Sequence, residues 1–502
     1  MSQLIGDEVI FWMLENWHMN GRGIRTRSMC LSVKPNRAIV LYWDVKLAET
    51  GIKGVAVRGG FGMVYGIDLG TTNSLIGHGE KLFTGLVSSN VNVVTKKQVP
   101  RDEVGEDIVA SYKTDMSIGE SGRLSVACST VVLKELVQRV KNACGDVVRD
   151  VVISVPAYFS TSQREAVYKA AGDAGLNVRT LINEPTAAAI YVCRERRDLI
   201  LVYDLGGGTF DVTIVDSRDG SYSVVATDGV VLGGDDLDSA LAQEVVMALR
   251  VPIRFRTKKN MRILRSRMRI AKEGIQKKGV RQVQVDIPEF GEGAYYVLDE
   301  SVYKKCVLEV FGKTITMMEN LLHTYLASYE KPKIVFVGGS SSCPYLKGMI
   351  RERLGLDEVL CDTSPDYVVA MGVALYAEMV EKGMADKCVY DVTKRLCIED
   401  SYGRTITVID SGTSVPCKNT ITVSNSETSE YLKLKLYQGD SIIASQNEYI
   451  GRMDFHYGKV VESGDGIVEV TLEVGVDGII GLSAVDILQG DDSARKIQLT
   501  AR

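Results

Sequence analysis

Tyr65-Gly66-Ile67-Asp68-Leu69-Gly70-Thr71-Thr72-Asn73 and Leu201-Val202-Tyr203-Asp204-Leu205-Gly206-Gly207-Gly208-Thr209 are two versions of one pattern. Each is an apolar run that reads as a buried strand, an aspartate at its end, and a turn of glycine and threonine. The residue types suit phosphate. Glycine lets backbone N–H groups approach phosphate oxygens with no Cβ in the way. Threonine hydroxyls add donors, and a carboxylate at each strand end suits hydrated Mg²⁺, a hard cation that keeps oxygen ligands and several waters. One Asp-x-Gly turn is a common surface feature. Two copies on two strands predict two similar lobes facing one ligand.

A third turn, Val337-Gly338-Gly339-Ser340-Ser341-Ser342, follows another apolar run and fits the far side of the same cleft. Neither Gly-x-x-x-x-Gly-Lys-Ser/Thr nor a dinucleotide Gly-x-Gly-x-x-Gly in a βαβ setting is evident, which argues against those two nucleotide folds. From Met63 to about Ala385 apolar runs alternate with helical patterns: Val151–Val155, Leu199–Tyr203 and Ile334–Val337 read as strands, and Thr161–Ala174 as a helix with hydroxyl residues at its start. This is α/β patterning. From about Arg395 the texture changes. Leu432, Leu434 and Leu436 alternate with polar neighbours, as do Val468, Val470, Leu472 and Val474, with turn signals at Gly439-Asp440 and Asp477-Gly478. Period-two alternation predicts strands with one buried face, and so a small all-β sandwich over 395–502.

The remaining chain constrains class more than chemistry. With 502 residues, 45% hydrophobic and 25% charged, and a net charge of −5, the composition is that of a globular protein with no global pull toward nucleic acid or membrane. The ten cysteines are scattered, with no C-x-x-C pair, so a reducing cytoplasm is the expected compartment. Residues 1–62 contain all three tryptophans and lack sustained periodicity. They read either as a real N-terminal extension or as sequence upstream of a misassigned start, with Met63 the first residue. Arg250 to Arg281 holds thirteen Lys or Arg and a single acid, Glu273. Only Phe255 interleaves it, so it reads as a solvated helical face rather than a nucleic-acid surface.

These residues resemble the DnaK-type heat-shock chaperones. The resemblance runs in order through the two phosphate turns, Val155-Pro156-Ala157-Tyr158-Phe159, Ile182-Asn183-Glu184-Pro185-Thr186-Ala187-Ala188-Ala189, Leu232-Gly233-Gly234-Asp235-Asp236-Leu237-Asp238 and Ser364-Pro365-Asp366. It continues more loosely through Leu436-Tyr437-Gln438-Gly439 and Val476-Asp477-Gly478-Ile479. It implies an actin-like, ribonuclease-H-like two-lobed ATPase domain over 63–385, a linker over 386–394 and a peptide-binding β-sandwich over 395–502. The implied cofactors are ATP/ADP and Mg²⁺. Asp68 and Asp204 would hold the metal through water. Gly70, Thr71, Thr72, Asn73, Gly206, Gly207, Gly208, Thr209, Gly233, Gly234, Lys272, Gly338, Gly339 and Asp366 would hold nucleotide. Lys113, Glu184, Asp211 and Thr209 would serve hydrolysis, with Lys113 matching the family's lysine through Ser111-Tyr112-Lys113-Thr114-Asp115-Met116.

Two departures touch the adenosine side. The family's Glu-x-x-Lys reads Arg269-Ile270-Ala271-Lys272, and Ser342 stands where an arginine usually packs on adenine. The linker, Lys387-Cys388-Val389-Tyr390-Asp391-Val392, is apolar but not leucine-rich, and the expectation is of a member without the family's helical lid after the β-domain. The resemblance implies an ATP-dependent chaperone of the stress response, binding unfolded or extended apolar peptides transiently, with a co-chaperone and a nucleotide-exchange factor as partners and no membrane. The competing reading is a noncatalytic, nucleotide-sensing assembly or scaffold protein on the same body.

Overall fold

In the computed structural model the chain divides into two compact units, Met1–Met63 and Val64–Arg502. The structure describes residues 2–5, 8–16, 26–34 and 37–43, and from 63 onward all but 102, 104–106, 118, 121, 158, 196, 279, 327–330, 360, 386–388, 393, 394, 489–494 and 499–502. Tyr158 of the Val-Pro-Ala-Tyr-Phe motif and part of the linker therefore lie outside the described residues. In the first unit, strands Ser2–Ile5, Glu8–Asn16, Thr26–Lys34 and Arg37–Trp43 pair antiparallel in chain order.

The second unit begins with two six-stranded mixed sheets built on the same plan. In the first, Val64–Leu69 is central, parallel to Asp150–Val155 on one side and antiparallel to Asn73–His78 on the other. In the second, Leu199–Leu205 is central, parallel to Lys333–Val337 and antiparallel to Phe210–Asp216. The repeated sequence pattern is thus a repeated strand topology. Both central strands are buried along their whole length, because helices cover the sheets, and this is why they read as continuous apolar runs.

Helix α1 (Arg123–Cys144) and helix α2 (Thr161–Asp173) pack on each other beside the first sheet. Helix α2 starts one residue after its cap: Ser160 and Gln163 exchange hydrogen bonds in a capping box. Helix α3 (Glu184–Val192) leads from the first sheet toward the second. Helices α4 (Gly234–Ala248), α5 (Lys258–Lys278), α6 (Glu300–Tyr325) and α7 (Pro344–Leu354) join the core of the second sheet. Helix α8 (Val368–Glu381) returns to cross α3.

The two sheets share one core, in which Val64 and Val152 from the first join Ile200, Val202 and Val335 from the second around α3 and α8. The crossing is close enough that a Cβ on Gly372 would lie 1.8 Å from the Ala187 carbonyl oxygen. Small residues there, with Ala187, Ala188 and Ala189 all buried, let the backbones approach.

Two four-stranded antiparallel sheets follow. One runs Thr405–Ile409, Leu396–Glu399, Ser429–Gln438, Glu448–Val461, and the other Cys417–Ser424, Ile467–Val474, Ile480–Asp486, Arg495–Gln498. Leu434, Leu436 and Phe455 from one and Val468, Val470 and Leu472 from the other form a single core, the sandwich that the alternation predicts. Between the two regions, Val389–Val392 is the next-to-last strand of the second six-stranded sheet. It pairs parallel with Tyr222 and Ser223 and antiparallel with Ser414 and Val415.

Replacing Gly372 with alanine tests the crossing. Alanine is the better helix former by about 1 kcal/mol, yet its methyl group would force the helices apart. The expected net effect is destabilisation of about 1–3 kcal/mol in denaturant unfolding. An unchanged or more stable protein would show that the helices can part freely.

Candidate functional site

The end of each central strand delivers its aspartate to one cleft. Asp68, Gly70, Thr71, Thr72 and Asn73 line it from the first half. Asp204, Gly206, Gly207 and Thr209 line it from the second, with Gly338, Gly339 and Asp366 beyond them. The turns approach so closely that a Cβ on Gly207 would stand 2.0 Å from the Thr72 hydroxyl oxygen. Gly338 has φ +79, and a Cβ there would meet the Leu205 carbonyl oxygen at 2.5 Å. The third turn therefore demands glycine on both conformational and steric grounds. Gly208 sits against the Thr71 and Thr114 methyl groups, Gly233 against the Gly207 backbone, and Gly234 beside Ser340 and Lys272. They shape the turns from behind.

Four acids converge below the glycine-threonine turns: Asp68, Asp204, Glu184 and Asp211 are all buried. The cation among them is Lys113, 2% exposed, on the 3₁₀ turn Tyr112–Asp115; its ammonium donates to Glu184 Oε1. Asp68 also accepts from Ser154 Oγ at 2.9 Å. One lysine does not balance these acids. Burial, then the neighbouring Glu184 charge, push the Asp68 carboxyl up to about 7, against the pull of Lys113 and Ser154. Burial, then Glu184, Asp211 and Asp68, hold Asp204 well above the usual carboxylate range. An oxygen-only donor set with excess buried negative charge fits hydrated Mg²⁺. Asp68 and Asp204 would hold it, and it would supply the missing positive charge and an ordered set of waters.

The other side of the cleft is lined by Lys272, Glu273 and Gln276 of α5 and by Ser340. Lys272 is buried, its ammonium 2.6 Å from Asp238 Oδ1 and 2.9 Å from the Gly234 carbonyl oxygen. Arg269 turns away from the cleft: its Nη2 donates to the Arg101 carbonyl oxygen at 2.6 Å. Ser342 ends the short turn Gly339–Ser342 and does not line the cleft either. Arg101 reaches across from the first half to Glu273 at 3.0 Å. The cleft encloses about 140 Å³.

Reading motifs missed four of these residues. Ser154 had a signal, as the polar residue in an apolar run, and Glu273 had one as the sole acid in a basic run. Arg101 and Gln276 sit in loop and helix positions whose partners only the fold supplies.

The family model for the Hsp70 protein matches residues 79–502. This chain belongs to the Hsp70 family. Hsp70 proteins are chaperones that bind ATP with Mg²⁺. A similar relative is the chaperone protein dnaK3 of Thermosynechococcus vestitus, 29% identical over 505 residues, covering 88% of this chain and 73% of the relative. The family model's match starts after the first glycine-threonine turn, whereas the alignment to the dnaK3 relative, at 88% of this chain, is long enough to span Asp68 to Asn73.

Asp68→Asn separates the stability and binding roles of the acid cluster. The folded-state value of Asp68, about 7, lies above its unfolded one, so its favourable contribution is present below about pH 4 and fades as pH rises through 7. In chelator at pH 8 the variant should be more stable than wild type by about 1–3 kcal/mol and should lose Mg²⁺-dependent stabilisation. Equal melting of the two proteins in chelator would show that the carboxylate is not strained there.

Proposed function

We propose that this protein is an ATP-dependent chaperone of actin-like ATPase architecture, in which hydrolysis in the cleft regulates transient binding of extended apolar peptides by the β-sandwich. The observation that carries this reading is a chain of contacts through the buried Arg164 that joins the two. Arg164 of α2 is buried, and its Nη1 donates to the Asp477 carbonyl oxygen, on the β-sandwich turn Asp477-Gly478, at 3.0 Å. Its Nη2 donates to Asn183 Oδ1 at 2.8 Å. Asn183 precedes Glu184, the partner of Lys113. Tyr168, one turn along α2, donates to Asp477 Oδ2 at 2.6 Å. Burial and this bond to a carboxylate both raise the Tyr168 pKa. A shift of Glu184 on nucleotide turnover thus has a physical route to the peptide-binding domain, and coupling of this kind needs such differential contacts.

The domain limits fit the same reading: 63–385 as nucleotide-binding domain, 386–394 as linker and 395–502 as peptide-binding domain. In the β-sandwich, Tyr402 and Ile442 are 80% and 75% exposed on two loops. Those loops are tied by backbone hydrogen bonds from Thr405 to Ile442 and from Ala444 to Gly403. Exposed apolar side chains on a fixed frame suit an extended apolar partner. Within the cleft, Asp68 and Asp204 serve Mg²⁺ through water. The Gly-Thr turns serve phosphate. Lys113 with Glu184 and Asp211 orient the attacking water. Several basic residues of the Arg250–Arg281 run are held internally, Lys272 by Asp238 and Arg267 by Glu289 at 2.7 Å, which supports a structural rather than nucleic-acid role. A reducing cytoplasm suits the eight free cysteines among the described residues. No helix among those residues is long and apolar enough to cross a membrane.

Single-turnover ATP hydrolysis with and without an unfolded apolar peptide tests the reading. Wild type should hydrolyse ATP and accelerate with peptide. Lys113→Ala should lose about 100-fold or more of the basal rate, as expected for one preorganised charge donor. Tyr168→Phe should keep the basal rate but lose most of the peptide response. Absence of hydrolysis in wild type would replace the chaperone reading with a noncatalytic scaffold.

A further inference from the structure

Away from the cleft, Glu244 of α4 and Cys306 and Glu309 of α6 bring two carboxylates and a thiol together. One oxygen of each carboxylate and the Cys306 sulfur all lie within 4.8 Å of one another. Cys306 and Glu309 are three residues apart, so they share one face of α6. Glu244 adjoins Val245, which with Leu241 packs α4 into the same core as Tyr303 and Val307 of α6. Cys306 is fully buried, and its free thiol makes no hydrogen bond among the described residues. Glu244 is half-buried and Glu309 exposed. A cation already stands between the carboxylates: the Lys305 ammonium is 2.7 Å from Glu244 Oε1 and 3.9 Å from Glu309 Oε1. An ammonium forms no bond to sulfur, so it leaves the thiol beside it unused. A metal ion can take all three groups.

We propose that Glu244, Cys306 and Glu309 form a Zn²⁺ site that ties α4 to α6. A sulfur ligand selects zinc over Mg²⁺ and Ca²⁺, which take oxygen. Zinc binds four ligands tetrahedrally at about 2.0–2.3 Å, which sets neighbouring ligand atoms about 3.5 Å apart. The group therefore has to close by about 1 Å, and the exposed Glu309 side chain can do so by turning about its own bonds. Water completes the fourth position. On binding, the Cys306 proton passes to solvent, a zinc–sulfur bond forms, and the Lys305 ammonium swings out into water on its flexible stem. Because α4 begins at Gly234, beside the cleft residue Lys272, the clamp steadies that helix without touching the reacting groups.

Calorimetric titration of Zn²⁺ into the full chain tests the site, in a non-thiol reductant and with excess Mg²⁺ to occupy the cleft acids. Cys306→Ala and Glu309→Gln should each weaken Zn²⁺ binding by about tenfold or more, since losing a ligand costs at least as much as losing a ligand's hydrogen-bond partner. Lys305→Gln should tighten it, because the competing cation is gone. Co²⁺ in place of Zn²⁺ should give wild type a thiolate-to-metal charge-transfer band that Cys306→Ala loses. Zn²⁺ should also raise the melting temperature of wild type more than that of Cys306→Ala. Should Cys306→Ala fail to fold, as judged by circular dichroism, Glu309→Gln, at an exposed position, carries the comparison. No Zn²⁺ binding, binding equally strong in the two ligand variants, a charge-transfer band unchanged in Cys306→Ala, or displacement of Zn²⁺ by Mg²⁺ would each overturn the proposal. All these measurements are made without nucleotide, so they stand apart from the chaperone reading.

Discussion

The backbone contact between α3 and α8, where Gly372 lies against the Ala187 carbonyl, is the constraint on which the remaining architecture rests. It fixes how far apart the two central strands stand, and those strands carry Asp68 and Asp204. A wider crossing would separate the carboxylates, and a different angle would take the glycine turns out of register. The same tightness recurs at Gly66, whose Cβ would lie 2.4 Å from the Val373 carbonyl oxygen. The acid cluster is therefore assembled by helix packing at its back, and its charge imbalance is held in place by apolar burial rather than by ion pairing.

Much of this was legible in the sequence because the strands are buried on both faces or on one. Leu199–Leu205 has every residue buried, and Ile467–Val474 alternates, so each wrote its environment directly into its residue types. The glycine turns were legible for a different reason: glycine is required where a Cβ would meet a neighbouring atom, so Gly207 and Gly338 mark close approaches. Boundaries moved by only one or two residues, as with α2, where the cap is Ser160 rather than a residue within Thr161–Ser162.

What stayed hidden depends on long-range partners. Nothing in Arg269-Ile270-Ala271-Lys272 says that Lys272 is buried against Asp238 while Arg269 reaches the backbone of Arg101. The same holds for Arg164, which looks like an ordinary helix charge. Its value lies in four acceptors, the Phe159, Ala157 and Asp477 carbonyls and the Asn183 side chain, drawn from separate segments. Local pattern reports burial and turn geometry well; it does not report which distant acceptor a long polar side chain will find.

The strand Val389–Val392 divides its allegiance. Its first two residues pair with Tyr222 and Ser223 of the α/β sheet, and its last two with Val415 and Ser414 of the β-sandwich region. Only two residue pairs join it to each side, and a backbone hydrogen bond contributes a net of about 1 kcal/mol. Lifting it from one side costs a few kcal/mol, within the range that binding a single nucleotide or peptide can supply. The segment is thus a lightly held strand shared between the α/β sheet and Ser414–Val415.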